Sequence, residues 1–115
     1  MSKYRNIPTV VDGLRFASKA ESRRYQELCL LQRAREANER GVAVYTANSV
    51  RWFIRQPSFD LPGGVRYIAD FLVIWDDGHV TCEDVKGVET AVFKIKKKLF
   101  EEKYGPLTII KGGRK

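Results

Sequence analysis

The chain has 115 residues, 43% hydrophobic and 30% charged, and its 21 Lys and Arg outnumber 14 Asp and Glu to give a net charge of +7. That length supports one domain with a single modest core over residues 1–115, and the longest apolar run, Tyr67–Trp75, is broken by Asp70 and far short of the roughly 20 residues of a membrane span. The basic balance points to a polyanionic partner such as nucleic acid, with plain solubility charge as the alternative.

Met1-Ser2-Lys3-Tyr4-Arg5 is positively charged but leads into no apolar segment, so no signal peptide is expected and the protein is expected to act in the cytoplasm. Thr9 to Phe16 reads as a short hairpin, with Asp12-Gly13 supplying the positive φ angles of a two-residue turn. Ser18-Lys19-Ala20-Glu21 matches a capping box, and a long helix follows to about Asn38 or Arg40, with Tyr25, Leu28 and Gln32 on one face and Gly41 ending it. Val42 to Ser49 is ambiguous, β-branched at first and then turn-like.

Val50 to Gln56 alternates as a strand and Pro57 closes it; Asp60 to Gly64 reads as a loop. Val65 to Trp75, apolar on both faces, reads as one strand at the centre of a sheet. Asp76-Asp77-Gly78 turns the chain, and His79 to Lys86 returns as the next strand. A second helix runs from about Thr90 to Lys103, with Val92, Ile95, Leu99 and Phe100 as its apolar stripe, and Leu107 to Ile110 forms a last short strand before a basic tail, Lys111 to Lys115. The order is hairpin-α-β-β-β-α-β, an α/β (α+β) domain with a mixed sheet flanked by helices. Cys29 and Cys82 lack metal-ligand spacing and His79 is the only histidine, which argues against zinc and for two reduced cysteines in or near the core. Trp52 and Tyr67 read as core rather than stacking platforms, and His79 as exposed.

The informative residue is Asp70, a carboxylate inside the most apolar stretch of the chain. Burying it ionised costs several kcal/mol unless it is paired or binds a cation. In Cys82-Glu83-Asp84-Val85-Lys86, the period of two places Asp84 and Lys86 on one face. A three-residue loop 76–78 pairs Trp75 with His79, which sets Asp70 opposite Asp84 and Lys86 opposite Ile68; a two-residue Asp77-Gly78 turn would set Asp70 opposite Val85 instead. The first is preferred because it accounts for all three charges together. Two close carboxylates and a lysine suit a hard divalent cation such as magnesium; a structural Asp70–Lys86 ion pair is the alternative.

Ala69-Asp70 followed by Asp84-Val85-Lys86 resembles the PD-(D/E)XK nuclease signature, with Ala69 in the place of its proline. The wider chain resembles a family of small, phage-associated proteins of that superfamily through Lys3-Tyr4-Arg5-Asn6, Thr9-Val10-Val11-Asp12-Gly13, Ser18-Lys19-Ala20-Glu21, Arg24-Tyr25, Gln56-Pro57, Tyr67-Ile68-Ala69-Asp70-Phe71, Glu83-Asp84-Val85-Lys86-Gly87 and Val92-Phe93-Lys94. The resemblance implies a restriction-endonuclease-like fold and a metal-dependent DNA endonuclease, related to Holliday-junction resolvases, acting in the host cytoplasm if phage-encoded. It also implies that Glu21 joins Asp70 and Asp84 in holding Mg2+, for which Mn2+ would substitute, while Lys86 assists catalysis. Glu21 has a second reading as the third residue of a capping box, bonded to the Ser18 amide.

Lys96, placed within the apolar stripe, reads either as a snorkelling side chain or as a phosphate contact. Lys94, Lys97, Lys98, Arg23 and Arg24 are candidate DNA-backbone contacts, and Gln56 a polar group near the site. So short a chain leaves little room for a base-reading module, which favours a structure-selective enzyme on junctions or branched DNA. Two cuts at a junction make a homodimer the expected assembly. The competing expectation is a non-catalytic nucleic-acid-binding protein on a degenerate nuclease fold.

Overall fold

Asp12 and Gly13 adopt φ of 54° and 76°, the two left-handed residues that let a tight turn follow strand twist. They join β1 (Thr9–Val11) to β2 (Leu14–Phe16) in an antiparallel hairpin with Thr9 opposite Phe16. The structure, a computed structural model, describes residues 8–41 and 48–112. Most of the ambiguous Val42–Ser49 stretch, the start of the chain before residue 8 and the last three residues of the basic tail lie outside the described residues.

Helix α1 (Lys19–Glu39) starts where the Ser18 hydroxyl accepts the Glu21 N–H at 3.2 Å, and Gly41 follows it with φ 69°. After α1 come β3 (Val50–Arg55), β4 (Ser58–Leu61), a short 3-10 turn (Pro62–Gly64), β5 (Val65–Ile68), β6 (Phe71–Trp75), β7 (Val80–Lys86), α2 (Ala91–Tyr104) and β8 (Leu107–Lys111). Four strands form one mixed sheet in the order β3-β6-β7-β8, antiparallel except for the parallel pair β7-β8. No helix among the described residues is long and apolar enough to cross a membrane.

The two faces of the sheet carry separate cores. Phe16, Leu28, Val50, Phe71 and Val73 pack on the α1 side. Leu61, Tyr67, Ala69, Cys82, Phe93, Phe100 and Leu107 pack on the α2 side, where burial pushes the Cys82 thiol up to about 12 and keeps it inert. Both cysteines are free thiols, Cys29 half-buried.

Val65–Trp75 is not one central strand. It divides at Ala69-Asp70, and β5 leaves the main sheet to pair with β4, Ser58 opposite Ile68 and Leu61 opposite Val65. The cause lies on the neighbouring strand: Gln56 sits at φ 55° and Pro57 follows it, so β3 cannot continue straight. Both arms bend at one level, where the Gln56 N–H donates to Asp70 O at 2.9 Å and the Ala69 N–H to Pro57 O at 3.1 Å. Beyond that bend Val65 and Ile68 are exposed, and the expected apolar coverage of both faces stops at Phe71.

The bent hairpin decides which side of α2 is buried. Phe59 packs edge-on against Phe100 with ring centroids 4.9 Å apart, and Tyr67 lies 5.7 Å from the same ring. Phe93 and Phe100 therefore face inward, Leu99 is half-buried, and Val92 and Ile95, expected in the stripe, face solvent. Trp52, expected in the core, is 45% exposed.

Helix α1 is tied to the sheet by a buried ion pair. Arg24 grips Glu83 with Nε–Oε1 and Nη2–Oε2 both at 2.7 Å, and Glu83 is 1% exposed. Arg24→Met leaves that carboxylate buried without a cation and is expected to destabilise the fold by about 3–5 kcal/mol. Adding Glu83→Leu is expected to restore most of the loss, as measured by urea unfolding of the single and double variants.

Candidate active site

The site forms where β5 parts from β7. Gly78, at φ 96°, closes a three-residue loop in which the Trp75 N–H donates to His79 O and the Gly78 N–H to Trp75 O, each at 2.9 Å. This is the loop that sets the register Phe71 opposite Glu83 through Ile74 opposite Val80. One step further, Asp70 reaches the level of Asp84, and its N–H donates to Glu83 O at 3.1 Å. There the ladder stops, so Ile68 is not opposite Lys86 but pairs with Ser58.

The departing strand leaves the Val85 N–H of β7 without a backbone partner, and the Asp70 Oδ2 takes it at 2.7 Å. Asp84, 2% exposed, accepts the Tyr67 hydroxyl on its Oδ2. Glu21, on the first turn of α1, is 5% exposed, and the Ala17 backbone is the hydrogen-bonding partner that holds its carboxylate down. That contact differs from the Ser18 amide of a complete capping box.

All three carboxylates sit above their ordinary pKa. Burial pushes Asp84 up to about 6, with Lys86 and the Asp70 backbone pulling the other way. Burial also raises Asp70, against the Val85 N–H, Lys86 and Arg55. Glu21 is raised by burial first, then by the negative charges of Asp70 and Asp84, with Arg55 opposing. Burial is thus the common cause, and Glu21 alone is also raised by the charges of the two aspartates.

Lys86 stands with its Nζ 4.4 Å above the Phe93 ring. Its salt bridge to Asp70, the structural alternative, does not form within 4 Å among the described residues. Arg55 and Tyr67 belong to the site although their chemistry was not read from the sequence. Arg55 lies over the Phe16 ring at 4.3 Å, donates from Nη2 to Arg15 O at 2.9 Å, and leaves its buried Nε without a partner among the described residues. The available signal was phase: Arg55 is two residues from the inward Phe53, and Tyr67 two from the buried Ala69.

The donor set is all carboxylate oxygen, which matches a hard divalent cation in chemical type. As the side chains stand, no group of three or more His, Cys, Asp or Glu among the described residues is drawn together enough to hold a metal. Of the expected DNA contacts, Arg23, Lys94 and Lys98 are exposed and Lys96 is half-buried. Lys97 is paired with Glu101 at 3.2 Å, and Arg24 is committed to Glu83. Gln56 is exposed and touches the site through its backbone N–H alone. His79 is exposed at the hairpin tip, stacked on Trp75.

A family described as "Protein of unknown function (DUF1064)" matches residues 1–112, and the chain belongs to it. No curated protein and no solved structure matches the chain.

The raised carboxylates set a pH dependence of stability. A carboxyl whose folded pKa lies above its unfolded value binds more protons in the native state through that window, so stability falls as pH rises. Asp84, moved from 3.8 to about 6, accounts for about 3 kcal/mol of native-state penalty above pH 6. Asp84→Asn is expected to raise the unfolding midpoint at pH 7.5 and to leave it nearly unchanged at pH 4, as followed by thermal denaturation at both pH values.

Proposed function

We propose that this member of the DUF1064 family is a metal-dependent DNA endonuclease of the PD-(D/E)XK kind that cleaves branched or junction DNA. The observation that carries the reading is the strand fork, which sets Asp70 and Asp84 at one level of neighbouring strands beside Lys86, with Glu21 in their field. Three largely buried carboxylates with raised pKa values form a grouping with a functional rather than a stabilising rationale. The +7 charge supplies the attraction for a phosphate backbone.

Glu21, Asp70 and Asp84 would hold a divalent cation, Mg2+ or Mn2+, which when bound stabilises developing charge on the phosphodiester and lowers the pKa of water. The Val85 N–H fixes one oxygen of Asp70 and the Tyr67 hydroxyl one oxygen of Asp84, and these bonds would orient both aspartates toward a cation. Lys86 has an ammonium unclaimed by any carboxylate within 4 Å among the described residues. It orients the attacking water or donates to the non-bridging phosphate oxygen as negative charge grows there. Arg55 offsets part of the carboxylate charge at Glu21 and Asp70. Paired cuts at a junction would be made by a homodimer, in phage DNA processing within the host cytoplasm.

The second reading, a non-catalytic DNA-binding protein, is favoured by one observation: the carboxylates do not close into a metal-holding group as they stand. Supercoiled plasmid and a synthetic four-way junction, incubated with Mg2+ or Mn2+, separate the two. Metal-dependent cutting is expected, abolished by Asp70→Ala and reduced on the order of 100-fold or more by Lys86→Ala. Intact DNA with either metal, together with binding that neither substitution alters, establishes the second reading.

Cation binding has its own signature in stability. A ligand of the native state raises the unfolding midpoint by mass action, and here it relieves carboxylates that are ionised only above their raised pKa values. Ca2+ or Mg2+ is expected to raise the thermal midpoint at pH 8 and to have little effect at pH 4.5. Equal shifts at the two pH values, or equal shifts in Asp70→Ala, would refute cation binding at this site.

A further inference from the structure

Gly112, the residue after β8, is required for space and not for backbone freedom. Its φ lies outside the left-handed region that Gly13, Gly41 and Gly78 occupy. A Cβ at this position would stand 3.0 Å from the Ala20 Cβ and 3.0 Å from the Val85 Cγ1, closer than the roughly 3.5–4.0 Å at which carbon atoms pack. The other described glycines have open space where a Cβ would go.

Both neighbours lead directly to the candidate site. Ala20 precedes Glu21 on the first turn of α1, and Val85 lies between Asp84 and Lys86 with its N–H bound to Asp70. The Gly112 N–H donates to Lys86 O at 3.0 Å and extends the parallel β7-β8 ladder past the pair Lys86 and Lys111, so Gly112 withdraws only by breaking that bond. The room left by its missing side chain is therefore the spacing between the start of α1 and the end of β7. Of the two contacts, the Val85 Cγ1 can turn away about one torsion, whereas the Ala20 Cβ is fixed to the helix backbone. A side chain at position 112 displaces α1, and Glu21 moves with it. A ligand set shared between a helix and two strands tolerates only about 0.5 Å of such movement.

We infer that Gly112 is a positioning residue: the absence of a side chain there seats α1 close enough to β7 for Glu21 to reach a divalent cation shared with Asp70 and Asp84. Gly112 touches neither cation nor substrate and acts through Glu21. The choice of a cation as the shared ligand rests on the metal-dependent reading proposed above.

The test is calorimetric titration of the full chain with Mn2+ at pH 8 in the absence of DNA, with circular dichroism to verify folding. Gly112→Ala is expected to weaken cation binding about tenfold or more. Adding Ala20→Gly, which removes the opposing methyl group, is expected to restore most of that affinity. Gly87→Ala, which places the same methyl group in open space just past β7, is expected to bind as the wild type does. In Glu21→Gln, itself weakened, adding Gly112→Ala is expected to cost less than about twofold more, because both changes act on one ligand. Equal affinity in the wild type and folded Gly112→Ala overturns the inference. So does an equal loss in Gly87→Ala, a double variant that Ala20→Gly fails to restore, or a full further loss in Glu21→Gln. If Gly112→Ala does not fold, recovery of folding and affinity on adding Ala20→Gly supports the spacing, and a double variant that stays unfolded overturns it. A wild type that binds no cation overturns the cation reading and this role together. A wild type and variants that bind Mn2+ as expected but leave DNA intact overturn the nuclease reading and leave the role of Gly112 standing.

Discussion

The place where β5 leaves the main sheet is the constraint on which the rest of the molecule depends. A strand running straight from Val65 to Trp75 would satisfy every backbone group of β7 and leave no opening. The bend at Gln56-Pro57 makes that impossible for the outer strand, and the Gln56–Asp70 and Ala69–Pro57 backbone bonds bring the inner strand with it. What remains is a backbone donor at Val85 with no strand to meet it. Leaving such a group unpaired costs about 1–3 kcal/mol, and the Asp70 carboxylate is the group that satisfies it. A local defect in strand pairing thereby fixes the orientation of an acidic side chain.

The same bend organises the far side of the sheet. The β4-β5 hairpin lays Phe59 and Tyr67 against Phe100, and this aromatic contact rotates α2 so that Phe93 faces inward. Phe93 then lies under the ammonium of Lys86, and Tyr67 reaches Asp84. The hydrophobic packing of α2 and the polar geometry of the fork are consequences of one displacement of the chain, so neither can be altered without disturbing the other.

The first hairpin, the mixed sheet and the two helices were legible in the sequence, because turn chemistry and capping act over a few residues; β4 was not, its Asp60 and Leu61 having the composition of a loop. Asp12-Gly13, Ser18 and Thr90 each define an element boundary by local bonds. The Asp70–Asp84 alignment was legible only in part: counting from a three-residue loop gives it, but the three charges, not the turn chemistry, favour that loop over a two-residue Asp77-Gly78 turn. The division at Ala69-Asp70 was not: apart from Arg66 and Asp70 the stretch Val65–Trp75 is apolar, and the cause of its break sits at Gln56-Pro57, remote in sequence and opposite only once the strands pair. The α2 stripe was misjudged for a related reason. Periodicity places Val92 and Ile95 as near to Leu99 as it places Phe93 to Phe100, and only the aromatic rings of the hairpin decide between the two faces. For Arg55 the one local signal is its strand phase with Phe53, which gives it an inward face but no chemistry; its meaning comes from Glu21 and Asp70, which approach it from other elements.

Glu83 and Asp84 are adjacent in sequence and almost equally buried, at 1% and 2% exposure, yet they have opposite chemical fates. The alternation of β7 turns Glu83 toward α1, where a bidentate guanidinium neutralises it and ties down both its oxygens. Asp84 faces the other side, where it meets a neutral hydroxyl and the field of Lys86 but no cation within ion-pairing distance among the described residues. A structural role would be served best by repeating at Asp84 what was done at Glu83, since pairing removes the penalty that burial imposes. The chain instead tolerates a carboxyl raised to about 6 at a position next to Lys86, while its other buried acids, Glu21 and Glu83, divide in the same way between an unpaired acid in the field of the aspartates and an acid matched by arginine. Asp70 and Asp84 lie at the fork with Glu21 in their field, while the arginine-matched Glu83 lies beneath α1; under the nuclease reading proposed above, an external cation would supply to the first set what Arg24 supplies to Glu83.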